Sequence, residues 1–163
     1  MQIETRTYGN VDIGDSGLYI KQVIQINGRS ENCGLYIADG FSGHASHYPR
    51  IAEIIDDIDA IDTKARDILR QELQDENALV VTFLDFHLEE VEDEIKAKLQ
   101  VSTIDRKLLL QRLDLRTIGF NLRETENAIE FHLDYCPGEE FSDELLVVKF
   151  RSNGDLIVVA HES

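Results

Sequence analysis

The fold of this chain is indicated most clearly by residues 128–135, which read AIEFHLDY. Apolar and polar residues alternate along this stretch, and successive side chains of a β-strand point to opposite faces of a sheet. One face of the strand is therefore expected to be apolar and to consist of Ile129, Phe131, Leu133 and Tyr135. The stretch predicts a strand in a sheet that is buried on one face and exposed on the other.

Further strands are predicted on both sides of this one. Residues 145–150 and 156–160 form a hairpin around Asn153-Gly154, a dipeptide typical of tight turns between strands. Residues 117–122 form the preceding strand. The strands predicted near the N-terminus cover residues 8–13, 18–26 and 35–38, and the last two end at an Asn-Gly and an Asp-Gly step.

The middle of the chain is predicted to be helical, because apolar residues recur there every three or four positions. The predicted helices cover roughly residues 51–58, 65–73, 77–95 and 105–113. Asp62 or Thr63 is expected to cap the second of them, since short polar side chains favour that position.

This order of elements predicts one domain over residues 1–163, with strands in 1–40, helices in 45–113 and strands in 114–163. Strands do not alternate singly with helices, so an α+β fold is favoured over a parallel α/β sheet. In this fold, an antiparallel sheet built from the N-terminal and C-terminal strands carries the central helical segment on one face.

The charge of the chain is strongly acidic, with 32 Asp+Glu against 16 Lys+Arg and a formal net charge of -16. Two long segments, residues 71–95 and 124–148, contain no Lys or Arg at all. Such a surface repels nucleic acids and anionic membranes and attracts cations and basic proteins. The composition therefore predicts a basic protein partner, with no nucleic acid and no membrane among the partners.

The N-terminus lacks the basic and apolar regions of a signal peptide, and this predicts a cytoplasmic protein. Cys33 and Cys136 are then expected to be reduced, buried thiols in preference to a disulfide. The chain contains no glycine-rich phosphate loop and no Gly-x-Ser-x-Gly elbow, so we expect no nucleotide cofactor and no hydrolase site of that type. Acidic neighbours also disfavour Cys136 as a nucleophile.

The acidic residues proposed to bind a partner lie late in the third predicted helix: Glu89, Glu90, Glu92, Asp93 and Glu94. Their side of the helix is expected to face solvent or the partner. The other side is expected to pack inward through Leu79, Phe83, Phe86, Val91 and Ile95. A calcium loop is not indicated, because the required Asp and Gly pattern is missing.

An alternative site lies on the C-terminal strands, where His132, Asp134 and His161 provide imidazole and carboxylate groups. These groups are metal ligands and also acid-base catalysts. Polar pairs on an exposed sheet face have the same appearance without any such role. The sequence leaves both interpretations open.

Residues 134–150 read DYCPGEEFSDELLVVKF, and the chain continues through Asn153-Gly154 to a final His-Glu-Ser. This ending resembles a family of small acidic bacterial proteins known as domain of unknown function number two-thousand-and-four. The shared pattern is Asp-Tyr, a Gly-Glu turn, an apolar strand, an Asn-Gly turn and a terminal Glu-Ser. The resemblance covers the last 30 residues in motif and most of the chain in the order of its elements. It implies an intracellular bacterial protein, and it implies no catalytic residues.

Three hypotheses for the function follow. The first is a non-enzymatic binding module for a basic protein, in one form an immunity or antitoxin protein that covers the basic site of a nuclease toxin. The second is a metal-binding protein or metal-dependent enzyme that uses His132, Asp134 and His161. The third is a structural subunit or homo-oligomer without a small ligand.

Overall fold

A computed structural model of the protein describes residues 2–163. Four strands come first: β1 (Gln2–Thr5), β2 (Gly9–Asp12), β3 (Leu18–Ile26) and β4 (Arg29–Ile37). Five helices follow: α1 (Tyr48–Asp56), α2 (Ile58–Glu72), α3 (Leu79–Glu90), α4 (Glu92–Leu99) and α5 (Arg106–Arg112). The chain then returns to strands: β5 (Asp114–Arg123), β6 (Ala128–Cys136), β7 (Leu145–Arg151) and β8 (Leu156–Glu162). The predicted α+β fold is confirmed.

The main sheet has six strands in the order β3-β4-β5-β6-β7-β8, while β1 and β2 form a separate antiparallel pair. Neighbouring strands of the main sheet are antiparallel except β4 and β5, which pair in parallel from Gly34↔Thr117 to Ile37↔Phe120. The parallel pair differs from the antiparallel sheet expected from the sequence. It arises because the whole helical segment connects β4 to β5, and a long crossover of this kind permits parallel pairing.

The helices pack on one face of this sheet, and the alternation predicted for β6 is confirmed. Its apolar residues are all buried against the helices: Ile129, Phe131, Leu133 and Tyr135. Burying each such side chain stabilises the fold by about 1.5–3 kcal/mol. The opposite face of the sheet, here called the open face, exposes Tyr19, Tyr36 and Val158.

The third predicted helix differs from the structure in its continuity and in the side chains that it buries. The run expected over residues 77–95 is broken at Val91, where the backbone leaves the helical region between α3 and α4. Phe83 and Ile95 are buried as predicted. The expectation that Leu79 and Phe86 pack inward is wrong, because these side chains are 36% and 42% exposed.

Asp62 does not cap a helix, because α2 already begins at Ile58. Its buried carboxylate instead accepts hydrogen bonds from Arg66 Nε (2.9 Å), Arg29 Nη2 (2.8 Å), Tyr135 Oη (2.9 Å) and Asn27 Nδ2 (3.0 Å). Burial alone would raise the pKa of Asp62, but these partners lower it below its ordinary value. The network fastens α2 to the sheet.

Candidate acidic groove

The two segments without Lys or Arg meet at one place on the surface. A groove of about 260 Å³ is lined on one side by residues at the end of α3 and on the other by the loop between β6 and β7. We call it the acidic groove. Its lining residues are Phe86, His87, Glu90, Val91, Phe141, Ser142, Asp143 and Glu144.

A buried histidine joins the two sides of the acidic groove. His87 Nδ1 lies 2.9 Å from the carbonyl oxygen of Phe83, and His87 Nε2 lies 3.0 Å from Ser142 Oγ. A carbonyl oxygen only accepts, so Nδ1 carries the proton and Nε2 accepts from the Ser142 hydroxyl. Burial lowers the pKa of His87, which keeps the ring neutral in this arrangement.

The wall of the groove next to β8 is fixed by a hydrogen bond between two side chains. His161 Nε2 lies 2.5 Å from Glu144 Oε2, and the His161 ring meets the ring of Phe83 edge-on with centroids 5.3 Å apart. The backbone N–H of Glu144 also donates to Ser142 Oγ at 3.1 Å. The Glu144 carboxylate is therefore held in place at the mouth of the groove.

A hydroxyl bonded to a neutral imidazole is also the first part of a nucleophilic site. Such a site further needs donors that stabilise an oxyanion. The N–H groups of Phe141 and Ser142 are already engaged, since they donate to the carbonyl of Gly138 at 3.0 and 3.3 Å. The N–H of Glu144 is held by Ser142 Oγ itself. The hydrogen bond between His87 and Ser142 instead holds the loop between β6 and β7 on α3.

The acidic residues predicted to bind a partner lie beside this groove, at the junction of α3 and α4. Glu89, Glu90, Asp93 and Glu94 are exposed, while Glu92 is half-buried and pairs with Lys96. Glu92, Asp93 and Glu94 form the first turn of α4, where carboxylates interact favourably with the helix dipole. Part of this acidic run therefore stabilises the start of a helix.

The proposed metal ligands are not brought together. His132 and Asp134 lie on the open face, with His132 Nε2 3.8 Å from Asp134 Oδ1. His161 pairs across strands with the core residue Leu146 and points to the helices. The sheet therefore separates His161 from the other two. Within residues 2–163, no group of three or more His, Cys, Asp or Glu side chains is placed to hold a metal ion.

The two groups on the open face have pKa values that differ from their ordinary ones. Burial and the nearby Glu162 raise the pKa of Asp134 to about 7, against the opposing charges of Arg116 and Lys149. Burial, together with Lys149, lowers the pKa of His132. The His132 ring lies over Gly119, where a Cβ atom would approach it to 2.1 Å. Glycine at this position is what lets the imidazole lie against the sheet.

Both cysteines are buried and unpaired. Burial raises the pKa of Cys33 to about 12 and the pKa of Cys136 to about 11. Both side chains are therefore neutral thiols near pH 7, and a thiolate is the form that acts as a nucleophile.

A larger open groove of about 990 Å³ lies between α2, α3 and α5. Its charges already pair with one another: Arg106 binds both carboxylate oxygens of Asp85 at 2.6 and 2.8 Å, and it also binds Glu76 at 2.8 Å. Arg70 also forms an ion pair with Asp67. This groove therefore presents little unbalanced charge to a ligand.

Comparison with family models found no match, and comparisons with curated proteins and with solved structures found none either. In the described part of the chain, no helix is both long and apolar enough to cross a membrane.

The groove was not predicted from the sequence, although both segments that form it stand out there by their lack of Lys and Arg. The acidic composition of residues 71–95 and 124–148 was a signal for each segment separately. Nothing in that composition shows that Phe86 and Ser142 line one cavity, because this depends on how α3 packs beside the loop.

Proposed function

We propose that this protein is a binding module whose acidic groove receives a basic side chain of a protein partner. The observation that carries this proposal is the convergence of the two base-free segments at the groove. The convergence places Glu90 and Asp143, both exposed, on opposite sides of one small cavity.

The chemistry of the groove suits an arginine. A guanidinium group forms charge-assisted hydrogen bonds with carboxylates and also stacks on aromatic rings. Glu90 and Asp143 supply the carboxylates, and the exposed ring of Phe86 supplies an aromatic surface. A cation over an aromatic ring gains about 0.5–1 kcal/mol at an exposed site.

The charge around the groove favours a basic partner over a longer range. Glu89, Asp93 and Glu94 extend the acidic surface along the junction of α3 and α4. Charges of one sign accelerate the encounter with an oppositely charged protein and slow the encounter with like charges. A nucleic acid or an anionic membrane would be repelled by the net charge of -16.

A more specific form of the proposal is that the chain is an immunity or antitoxin protein, which covers the basic site of a nuclease toxin. This role is compatible with a cytoplasmic bacterial protein, as the resemblance to the family of small acidic proteins implies. The metal-dependent alternative has less support, because His161 lies across the sheet from His132 and Asp134.

The proposal is tested by capture of partners from a lysate of the organism that encodes the chain. One variant carries the reversals Glu89→Lys, Glu90→Lys and Asp93→Lys beside the groove. A matched control carries Glu4→Lys, Asp15→Lys and Asp39→Lys, which are exposed acidic residues in other parts of the chain and change the net charge equally. We expect the wild type and the control to retain the same basic protein and the groove variant to lose it. Equal capture by all three proteins would contradict the proposal.

A further inference from the structure

We propose that the large groove between α2, α3 and α5 is a binding site for an uncharged, mainly apolar small molecule. It is called the helical groove here, and its lining includes two leucines and two ion pairs: Leu73, Leu88, Arg70–Asp67 and Arg106–Asp85. Binding at this site is independent of the acidic groove and of a basic protein partner.

The size of the helical groove is that of a small-molecule site. Its volume is about 990 Å³, whereas the groove beside Cys136 measures about 280 Å³ and the acidic groove about 260 Å³. Ligand sites in proteins typically have volumes of roughly 300–1,000 Å³, and sites between packed helices are common among them. The volume therefore favours a small organic molecule as the occupant.

The apolar surface of the helical groove comes from two neighbouring helices. Leu73 directly follows α2, and Leu88 lies in the second half of α3. Both side chains are half-buried, pack against the hydrophobic core and line the groove. Each therefore keeps part of its apolar surface in contact with water. An apolar ligand would remove this surface from water, which is favourable roughly in proportion to the area covered.

The charged side chains along the helical groove bind one another. Arg106 binds both carboxylate oxygens of Asp85 at 2.6 and 2.8 Å and also binds Glu76 at 2.8 Å, while Arg70 pairs with Asp67. A charged ligand would have to compete with these contacts. The methylene groups of an arginine held in this way add to the apolar surface that a ligand can contact.

The charges of the helical groove also balance. Its lining holds three acidic and three basic residues: Asp67, Asp85, Asp105, Arg70, Arg106 and Lys107. The chain as a whole carries 32 acidic residues against 16 basic ones. A cation is therefore attracted more strongly to other parts of the surface, and an anion finds no excess of positive charge in this groove. The groove accordingly suits an uncharged ligand.

The test uses N-phenyl-1-naphthylamine, an uncharged apolar dye whose fluorescence rises in an apolar environment. We expect saturable binding of one dye to each full-length chain. The affinity should be the same at ~0.05 and ~0.5 M salt, because salt screens interactions between charges. The anionic dye 8-anilinonaphthalene-1-sulfonate has a similar apolar body. It should bind at least about tenfold more weakly at low salt, since the net charge of -16 repels it.

A pair of variants tests the place of binding. Leu88→Lys removes apolar surface from the helical groove and adds an ammonium group there, and it should weaken binding of the uncharged dye by about tenfold or more. The matched control Leu79→Lys changes a leucine of the same helix that is 36% exposed and lies outside the lining of the groove. We expect the control to bind the dye as the wild type does, with circular dichroism spectra of both variants unchanged.

Nuclear magnetic resonance of the labelled wild type locates the dye without any variant. The largest shifts on addition of N-phenyl-1-naphthylamine should occur at Gln71, Leu73 and Leu88. A wild type without saturable binding of this dye would overturn the proposal, and so would tighter binding of the anionic dye. Equal losses of affinity in the two variants, or shifts concentrated at Tyr19 and Val23 on the open face, would overturn it as well.

Discussion

The imidazole of His87 lies 3.0 Å from the hydroxyl of Ser142, and this hydrogen bond connects two residues that are 55 positions apart in the chain, one in each acidic segment. The histidine belongs to α3 and is fully buried, while the serine belongs to the loop that follows β6. The bond fixes the loop on the helix and so gives the acidic groove its shape.

Replacing the serine should destabilise the fold and loosen the groove. In Ser142→Ala, the buried Nε2 of His87 loses its partner, and an unsatisfied buried polar group costs about 1–3 kcal/mol. The measurement is the free energy of unfolding in urea. Ser46→Ala, at an exposed serine, is the control and should stay within about 0.5 kcal/mol of the wild type. Equal stability of both variants would show that the contact is not formed in solution.

The pH dependence of stability should carry a contribution from His87. Its pKa is lowered in the folded protein, so below the unfolded pKa of about 6.5 the unfolded chain takes up a proton more readily than the folded one. The fold should lose this part of its stability as the pH falls through and below that value. His87→Gln should lose less stability between pH ~7 and ~5 than the wild type does. Parallel curves for the two proteins would contradict the burial of a neutral ring.

Asp134 should change the pH dependence of stability in the opposite direction to His87. The pKa of Asp134 is raised to about 7 in the folded protein, against about 4 in the unfolded chain. Between pH ~4 and pH ~7 the folded protein therefore holds a proton that the unfolded chain has released, and the free energy of unfolding falls as the pH rises through this range. Asp134→Asn removes this penalty. The variant should gain more stability over the wild type at pH ~8 than at pH ~5, measured as the urea midpoint. The same change at the exposed Asp15 serves as the control.

Two phenylalanines of α3 should respond differently to truncation. Phe83 is fully buried, and Phe83→Ala should cost about 3–5 kcal/mol of unfolding free energy. Phe86 is 42% exposed, and Phe86→Ala should cost much less while weakening the binding of a basic partner. A large loss of stability in Phe86→Ala would show that this ring belongs to the core, as its position in the sequence suggested.

The strands β6 and β8 show how far the sequence predicts which side chains of the sheet face the core. The alternation in residues 128–135 predicted correctly which side chains of β6 are buried, because period two is a direct consequence of strand geometry. The same logic does not extend to β8, because a register shift between Lys149 and Phe150 lies between the Asn153-Gly154 turn and the pair of His161 with Leu146. Counting from the turn therefore does not predict that His161 lies on the helix-covered face.

Other features depend on tertiary packing, which a local sequence pattern does not predict. The apolar residues between Leu79 and Ile95 suit one continuous helix, yet the chain breaks at Val91 and starts α4 with three acidic residues. The parallel pairing of β4 with β5 follows from the path of the whole helical segment. The acidic groove depends on both, since the end of α3 and the loop after β6 meet only in the folded chain.

Nuclear magnetic resonance tests whether the acidic groove receives an arginine of a protein partner. The probe is acetyl-arginine amide, titrated into the isotope-labelled protein at low salt. We predict that the largest shifts occur at Phe86, Glu90 and Asp143, and that Glu90→Gln combined with Asp143→Asn abolishes them, while Asp15→Asn combined with Asp39→Asn does not. Shifts spread evenly over the exposed acidic residues, or shifts that the groove variant leaves unchanged, would contradict the claim.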